Sequence, residues 1–255
     1  MPVRMARFPL PASLPQSLFA FLLASLLAVP AAAAERNYSV SSFERIRIDG
    51  PFRVILTTGR PPSAKAEGAP QVTDALDIRV EGGTLIVRAG ANGWGEQPVA
   101  RDRAAPVIRV STGMIRGAAL IGGGDLRIVG PLRGQRIDLA LTGSGSLSTD
   151  GREADQLFAS AIGAGSMTLG GRAARARLAT SGPVRLQAGD LVANDLTVRA
   201  DGNGDLVAQA RYTASVSSTG IGSVTVYGKA ACTMLGVANG PVSCGKLMPP
   251  GLPTP

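Results

Sequence analysis

Few residues of this sequence could carry out acid–base or nucleophilic chemistry. The chain of 255 residues contains no histidine and two cysteines, Cys232 and Cys244. Without histidine, neither a Ser-His-Asp or Cys-His catalytic group nor a histidine zinc site can be built. Two cysteines are too few for a four-thiolate zinc site. We therefore predict no catalytic residues, no metal and no cofactor.

The carboxylates give no clear catalytic pair. Asp125 and Asp205 occupy the same position of a repeated pattern, but several repeats separate them. Glycoside hydrolysis needs two carboxyl groups within about 10 Å of each other, so we expect these two not to pair. The segment 201–205, Asp-Gly-Asn-Gly-Asp, resembles the start of a calcium loop, but Tyr212 stands where an EF-hand needs glutamate. We interpret this segment as a turn.

Arginine is the charged residue type that the pattern places on a surface. Arg53, Arg127 and Arg185 each lie between apolar residues that follow a glycine turn, and guanidinium groups bind carboxylates and phosphates. Trp94, the single tryptophan, lies among glycines and could stack on a ligand. We name these four as candidate ligand-facing residues. The alternatives are a solvated strand face for the arginines and packing over the solenoid end for Trp94.

The net charge is +8 for the full sequence. Removal of an N-terminal segment containing Arg4 and Arg7 leaves 26 − 2 = 24 basic against 18 acidic residues, which is close to +6. Such a balance favours contact with anionic envelope material, such as a polysaccharide, lipid headgroups or an acidic glycan, with solubility as the alternative explanation. An envelope protein is a further expected partner. Because the arginines are scattered and the chain carries an export signal, we do not expect a nucleic-acid partner.

A glycine repeat predicts the elements that position these side chains. The stretch 119–130, Ala-Leu-Ile-Gly-Gly-Gly-Asp-Leu-Arg-Ile-Val-Gly, recurs in altered form from Ala140 and from Ser160. The second glycine of each copy falls 17 to 22 residues after the last, at Gly124, Gly145, Gly165, Gly182, Gly204, Gly222 and Gly240. A period of about 20 residues is typical of a solenoid. We predict an all-β, single-stranded parallel β-helix (β-solenoid) with G-x-G repeats.

The repeat also predicts an inward and an outward column of side chains, because side chains alternate along a strand. The inward column comprises the first apolar residue after each glycine pair: Phe52, Leu126, Leu147, Met167, Val184, Leu206, Val224 and Val242. The outward column comprises the next residue of each copy: Arg53, Arg127, Ser148, Thr168, Arg185, Val207, Thr225 and Ser243.

The first hundred residues predict strands before the repeats begin. Alternation around Ile46 and Ile48 and over 52–57 indicates two strands, and the segments 77–80 and 84–88 flank Gly82-Gly83 as a hairpin. We interpret 58–70 and 91–106 as loops. The helix-forming segment 172–178 lies inside the repeat, and we predict that it is a strand.

The two ends differ from the middle in composition. Basic residues, an apolar run over 18–29 and four alanines at 31–34 predict a signal peptide over residues 1–34. Residues 35–246 form the predicted solenoid domain, and 247–255 form a proline-rich, disordered tail. After signal cleavage we expect no transmembrane segment. In an exported protein, Cys232 and Cys244 favour a disulfide, with two free thiols as the alternative.

Several segments together resemble a known bacterial family. They are Ser42 to Ile46 with Gly50, the run 54–59 (Val-Ile-Leu-Thr-Thr-Gly), the run 83–87 (Gly-Thr-Leu-Ile-Val), and the closing repeat 218–228. In this order they are similar to the head GIN domain family of auto-transporter adhesins over about residues 40 to 230. The resemblance implies a right-handed parallel β-solenoid exported by bacteria, with no established enzymatic activity. It supplies no functional residue that can be transferred.

The sequence therefore predicts a non-catalytic envelope protein, periplasmic or at the cell surface. Its expected role is adhesin-like binding or scaffolding of envelope polysaccharide or protein. One alternative is a polysaccharide-active β-helix enzyme. Another is a structural spacer that associates with itself through an exposed strand edge.

Overall fold

The computed structural model describes residues 34–90, 105–151 and 153–247. The predicted signal peptide up to position 33, Trp94 and the tail from position 248 lie outside these ranges. The strands are β1 Ala34–Tyr38, β2 Arg45–Asp49, β3 Arg53–Thr58, β4 Ser63–Gly68, β5 Leu76–Glu81, β6 Thr84–Ala89, β7 Val107–Thr112, β8 Gly117–Gly122, β9 Asp125–Val129, β10 Arg133–Gly143, β11 Ser146–Thr149, β12 Glu153–Gly163, β13 Ser166–Leu169, β14 Gly171–Ser181, β15 Arg185–Asp201, β16 Leu206–Ser218, β17 Val224–Tyr227, β18 Ala231–Met234 and β19 Val242–Lys246. One short helix, α1, spans Pro70–Asp74.

The strands form two ladders that run the length of the solenoid. Face 1 consists, in spatial order, of β5, β6, β2, β8, β10, β12, β14, the second half of β15, the second half of β16, and β18. Face 2 consists of β1, β4, β7, β3, β9, β11, β13, the first halves of β15 and β16, β17 and β19. From β8 onward the chain winds as a parallel β-solenoid of about six turns, which confirms the predicted fold class.

The core lies between the two faces and consists mainly of branched and small side chains. Alternate residues of each strand are buried, as in β2, where Ile46 and Ile48 are almost fully inaccessible. Successive turns place equivalent residues in register, so that Leu126, Leu147 and Met167 form one buried row. Because each turn contributes only a few inward side chains, the core becomes continuous only when turns are stacked. The predicted strand at 172–178 is confirmed as part of β14.

The first coil of the chain does not lie at the end of the solenoid. On face 1, β2 is parallel to β6 on one side and to β8 on the other. On face 2, β3 lies between β7 and β9 in the same way. In chain order, the β2–β3 coil comes first, β6 and β7 then pair with one side of it, and β8 and β9 continue the solenoid from its other side. The glycine spacing does not reveal this order.

The N-terminal end is closed by antiparallel strands. β5 pairs with β6 through the Gly82-Gly83 turn, which confirms the predicted hairpin, and β4 pairs with both β7 and β1. The prediction of a loop over 58–70 is wrong, because β4 occupies Ser63–Gly68. Its inward residues are the alanines Ala64 and Ala66, so the segment lacks the branched or aromatic residues by which strands are normally recognised.

The predicted columns contain a two-residue error at two turns. Gly50 and Gly182 have φ values of 133° and 94° and stack on the first glycine of the G-x-G in a neighbouring turn. The sequence alignment matches both of them to the second glycine. Consequently Val54 and Leu186, and not Phe52 and Val184, align with Leu126 and Met167 respectively. The buried residues Phe52 and Val184 instead occupy the corner position that is the second glycine elsewhere.

The corner glycines are required because backbones of successive turns nearly touch there. A Cβ atom at Gly124 would lie 2.6 Å from the Gly50 carbonyl oxygen and 2.7 Å from that of Phe52. At the adjacent Gly123, the nearest atom to a Cβ would be Ser144 Oγ at 3.4 Å, an ordinary contact. Gly124 is buried and Gly123 is exposed. Close stacking of turns, and not turn conformation alone, therefore selects glycine at position 124.

We predict that Gly124→Ala lowers the free energy of unfolding by about 2 kcal/mol, because a buried backbone cannot move away from the new methyl group. The matched control Gly123→Ala should change it by less than about 0.5 kcal/mol. Urea unfolding followed by circular dichroism measures both. Equal losses in the two variants would show that stacking at this corner is not what selects glycine.

The last coil contains both cysteines. Cys232 on β18 and Cys244 on β19 lie at disulfide distance, with Cα atoms 6.4 Å apart and a sequence separation of 12. These terminal strands pair with only β16 and β17 respectively within the described part of the chain. A covalent link between the two faces would hold the end of the solenoid closed.

We predict that the double variant Cys232→Ser/Cys244→Ser loosens the last coil by about 3 kcal/mol, the value expected for a loop of this length. Since contacts in a solenoid are between nearest neighbours, the effect should be local. Hydrogen exchange measured by mass spectrometry should accelerate in β18 and β19 and stay unchanged in β10 and β12. Unchanged protection of β18 and β19 would contradict a stabilising disulfide.

Candidate functional site

The sequence-predicted arginines lie on the outer surface of face 2, in two columns. Arg53 and Arg185 share a column with Asp125, while Arg127 lies in the next column, two residues further along its strand. The single outward column predicted for these three arginines is therefore wrong, and the reason is the alignment of Gly50 and Gly182 described above. Trp94 lies outside the described residues.

These arginines make weak or no contacts with carboxylates in the described chain. Arg53 Nε is 3.9 Å from Asp125 Oδ2, and Arg127 reaches Asp150 at the same distance. A polar depression of about 390 Å³ lies beside Arg185, lined by Asp125 and by the serines Ser144, Ser146 and Ser166. Ser146 donates a hydrogen bond of 2.7 Å to Asp125. Asp125 and Asp205 are separated by the intervening strands β11, β13 and the first half of β15, so they do not pair, as expected.

The larger concave surface is on face 1, for which the sequence predicts no candidate residue. A groove of about 750 Å³ crosses β2, β8, β10, β12, β14 and β15. We call it the face-1 groove. Its charged lining residues are Arg45, Arg47, Arg177 and Arg199 together with one carboxylate, Asp138. Arginines thus outnumber carboxylates in this lining by four to one.

The floor of the face-1 groove consists of small side chains. Ala119, Ala140, Ser160 and Ala179 succeed one another in register across β8, β10, β12 and β14. Arg47 and Arg199 end this row on β2 and β15. Because no long side chain projects from the middle of the row, the strand surfaces remain accessible from outside. The result is a shallow, flat-bottomed trough with a guanidinium group at each end.

A second row parallel to the floor holds the larger side chains. Arg45, Gly117, Asp138, Phe158 and Arg177 lie in register across β2, β8, β10, β12 and β14. The aliphatic part of Arg45 lies over Gly117, where a Cβ atom would be 3.4 Å from Arg45 Cγ. A Cβ atom at position 117 would make only an ordinary contact with this stem, so the strand surface supports the arginine from below.

Phe158 orients two guanidinium groups. Its ring, half-buried on the outer face, lies 4.2 Å from the guanidinium carbon of Arg136 and 5.4 Å from that of Arg177. Such cation–π contacts restrict the arginine side chains.

Three arginines at the groove are neutralised by an aspartate two residues ahead on the same strand. Arg47 donates to Asp49 at 3.0 Å, Arg136 to Asp138 at 3.1 Å, and Arg199 to Asp201 at 2.8 Å. Residues i and i+2 lie on the same face of a strand, which explains the spacing. The pKa values of Arg136 and Arg199 are raised by these hydrogen bonds, so both remain charged at any physiological pH.

Arg45 and Arg177 have no such partner. No carboxylate within the three described ranges forms an ion pair with either side chain, and Arg177 contacts the Phe158 ring. Both side chains are exposed. They are thus the charges of the face-1 groove that are available to an incoming anion.

A signal for this surface is present in the sequence. The pattern Arg-x-Asp occurs at 47–49, 136–138 and 199–201, each time with both charged residues on the outer side of a face-1 strand. The candidate arginines predicted from the sequence follow the glycine corners instead, and those residues are on face 2. No three His, Cys, Asp or Glu side chains of the described chain are grouped as metal ligands.

The sequence belongs to the family described as "Putative auto-transporter adhesin, head GIN domain", whose model matches residues 42–230. The fold is similar to that of a putative adhesin from Bacteroides fragilis, with 20% identity, a TM-score of 0.70, and coverage of 85% of this chain and 95% of the other. It is also similar to a putative adhesin from Parabacteroides merdae (15% identity, TM-score 0.63, coverage 85% and 98%) and to a putative lipid binding protein from Parabacteroides distasonis (17%, 0.61, 85% and 98%).

No curated protein matches the sequence. Within residues 34–90, 105–151 and 153–247, no helix is long and apolar enough to cross a membrane. Family membership and the cysteine pair at disulfide distance indicate an exported, adhesin-like protein.

The charge pair at the end of the groove gives a pH-dependent prediction. Hydrogen bonds from Thr219, at 2.6 Å, and from Arg199 lower the pKa of Asp201 below its ordinary value. A carboxyl group with a lowered pKa stabilises the fold above its unfolded-state pKa, near 4, and this contribution is lost as the pH falls through the folded-state pKa. Asp201→Asn should therefore lose less unfolding free energy than the wild type between pH 5 and pH 2.5.

The difference should be about 0.5 kcal/mol, since the pair is partly exposed. Thr219→Val, which removes the largest cause of the shift, should reduce the pH dependence in the same direction. Urea unfolding at several pH values measures the pH dependence of the free energy of unfolding for each variant. An identical pH dependence in the wild type and Asp201→Asn would contradict a lowered pKa for Asp201.

Proposed function

We propose that this protein is a non-catalytic, adhesin-like protein that binds an acidic glycan of the bacterial envelope in the face-1 groove. The observation that supports this proposal is the groove itself, which combines four arginines and one carboxylate over a floor of small side chains. We further propose that the protein acts in the periplasm or at the cell surface, after removal of the predicted signal peptide 1–34.

The electrostatics of the groove favour an anionic ligand. Asp138, the carboxylate of the lining, already accepts two hydrogen bonds from Arg136. Arg45 and Arg177 have no carboxylate partner among the described residues. Guanidinium groups held in place by an aromatic ring and by stem packing bind carboxylates with little loss of side-chain entropy.

The shape of the groove favours a sugar chain over a lipid. The trough is open along its length, whereas burial of an acyl chain requires an enclosed apolar cavity. Alanine methyl groups offer flat apolar contacts for sugar rings, and the hydroxyl groups of Thr84, Ser160 and Thr197 line the same trough. Both kinds of contact match the alternating apolar and hydroxyl surfaces of a polysaccharide.

The number of carboxylates in the groove favours binding over hydrolysis. Glycoside hydrolases use two carboxyl groups that flank the scissile bond. The described lining of the face-1 groove offers Asp138 alone, and this group is engaged by Arg136. A polysaccharide-active enzyme would therefore require a second carboxylate that this lining does not provide.

The test compares two charge-reversal variants that change net charge equally. Arg45→Glu/Arg177→Glu alters the face-1 groove, and Arg53→Glu/Arg185→Glu alters face 2. We expect the wild type to bind acidic polysaccharides on a glycan array, the first variant to lose at least tenfold in affinity, and the second to bind within about twofold of the wild type, where tenfold corresponds to about 1.4 kcal/mol.

Two results would contradict the proposal. Equal losses in both variants would show that net charge, and not the face-1 groove, is responsible for binding. A blank array together with no retention of envelope polysaccharide by the immobilised protein would exclude the glycan-binding function. Both variants change exposed side chains, so their folding can be checked by circular dichroism before binding is measured.

A self-associating spacer is a second candidate, favoured by the C-terminal coil. Several large apolar side chains are exposed there, including Ile221, Leu235 and Val237. The outer edges of β18 and β19 are unpaired within the described chain, and such edges can pair with another chain. Sedimentation velocity over a range of protein concentrations separates this candidate from a monomeric glycan-binding protein.

A further inference from the structure

We infer that the ligand is a linear acidic polysaccharide whose chain lies along the solenoid axis, across the strands, with carboxylates bound at Arg45 and at Arg177. The inference rests on the proposed function and adds to it an orientation, a minimum length and a charge spacing. It follows from the register of the two rows that line the face-1 groove.

The positions of these two arginines define the direction. Arg45 is on β2 and Arg177 is on β14, in the same row, with β8, β10 and β12 between them. Neighbouring strands are about 4.8 Å apart, so four steps separate the two residues by about 19 Å. The line that joins them is perpendicular to the strands. A chain lying along one strand could contact only one of the two.

The floor of the trough fits the same direction. Ala119, Ala140, Ser160 and Ala179 form a level path beside the Arg45–Arg177 row, one residue per strand. A sugar unit is about as long as one interstrand step, so one unit lies over one strand. Five consecutive units would therefore span β2, β8, β10, β12 and β14.

The middle of the path offers a ligand no unpaired cation among the described residues. Asp138 lies two strands from Arg45 and two from Arg177, and its charge is balanced by Arg136 rather than available to attract a ligand. Next to it, the half-buried Phe158 ring offers an apolar surface. In an oligogalacturonate, which has a carboxylate on every unit, the two end units of a five-unit segment gain a guanidinium partner, whereas the central units lie over the Arg136–Asp138 pair and the Phe158 ring and add little to the affinity.

The arginines at the ends of the floor differ from the two in the row. Arg47 and Arg199 are each bonded to an aspartate of the same strand. A ligand carboxylate would have to compete with that aspartate, so these residues contribute less to affinity than Arg45 and Arg177. Their substitution thus provides controls within the same groove.

The test measures binding of oligogalacturonates of two to eight units to the full chain by isothermal titration calorimetry. We expect the affinity to rise at least tenfold between three and five units and to change by less than about twofold from five to eight units, beyond the second arginine. Arg45→Gln and Arg177→Gln should each reduce the affinity for five units to that for two units. Arg47→Gln and Arg199→Gln should reduce it by less than threefold.

The short oligomer gives a second criterion. A dimer can contact only one of the two arginines at a time, so either single variant should change its affinity by about twofold or less. The double variant Arg45→Gln/Arg177→Gln should abolish this binding. In a double-mutant cycle the two positions should therefore be coupled for the pentamer.

The outcomes distinguish this inference from the proposed function. If all lengths bind equally and Arg45→Gln/Arg177→Gln still abolishes binding, the axial orientation is wrong and the glycan-binding function stands. If the wild type binds neither the oligomers nor long acidic polysaccharides, or binds only anionic lipid vesicles, the proposed function itself is wrong. Circular dichroism of each variant excludes misfolding as the cause of a loss.

Discussion

Close stacking of backbone on backbone at the corners is the constraint on which the rest of the structure depends. At the first corner of successive turns, Gly122, Gly143 and Gly163 have positive φ values and lie directly over one another. At the second corner a side chain at Gly124 would enter the space of the neighbouring turn. These corners set the distance between turns, and that distance allows both ladders to form hydrogen bonds continuously from β8 to the C-terminal coil.

Stacked turns bring together residues that are about one repeat apart in sequence. Inside, this produces the buried rows of leucine, valine and alanine. Outside, it produces hydrogen bonds between a carboxylate on one turn and a hydroxyl group on the next, from Ser146 to Asp125, from Thr213 to Asp195 and from Thr219 to Asp201. The surface of the solenoid is therefore organised in rows across the strands, and a ligand that lies along the axis meets one side chain per turn.

The face-1 groove shows how such rows make a binding surface without a loop or a domain interface. A row of small residues sets the depth of the trough, and a row with an arginine at each end sets its charge. These two arginines, Arg45 and Arg177, come from β2 and β14, more than a hundred residues apart in sequence. They share one row because the β2–β3 coil is inserted between β6–β7 and β8–β9.

The sequence by itself determined the repeat, the solenoid class, the hairpin at Gly82-Gly83 and most of the buried rows, because corner glycines and alternating apolar residues are local patterns imposed by backbone geometry. The sequence alignment placed Phe52 and Val184 two residues away from their true positions in the inward column, because the sequence does not distinguish a glycine at the first corner from one at the second. The face-1 groove was decided only by the tertiary structure. Which coil lies beside β2, and so which arginines share a row, depends on long-range pairing between strands, and no local pattern around Arg45 or Arg177 records it.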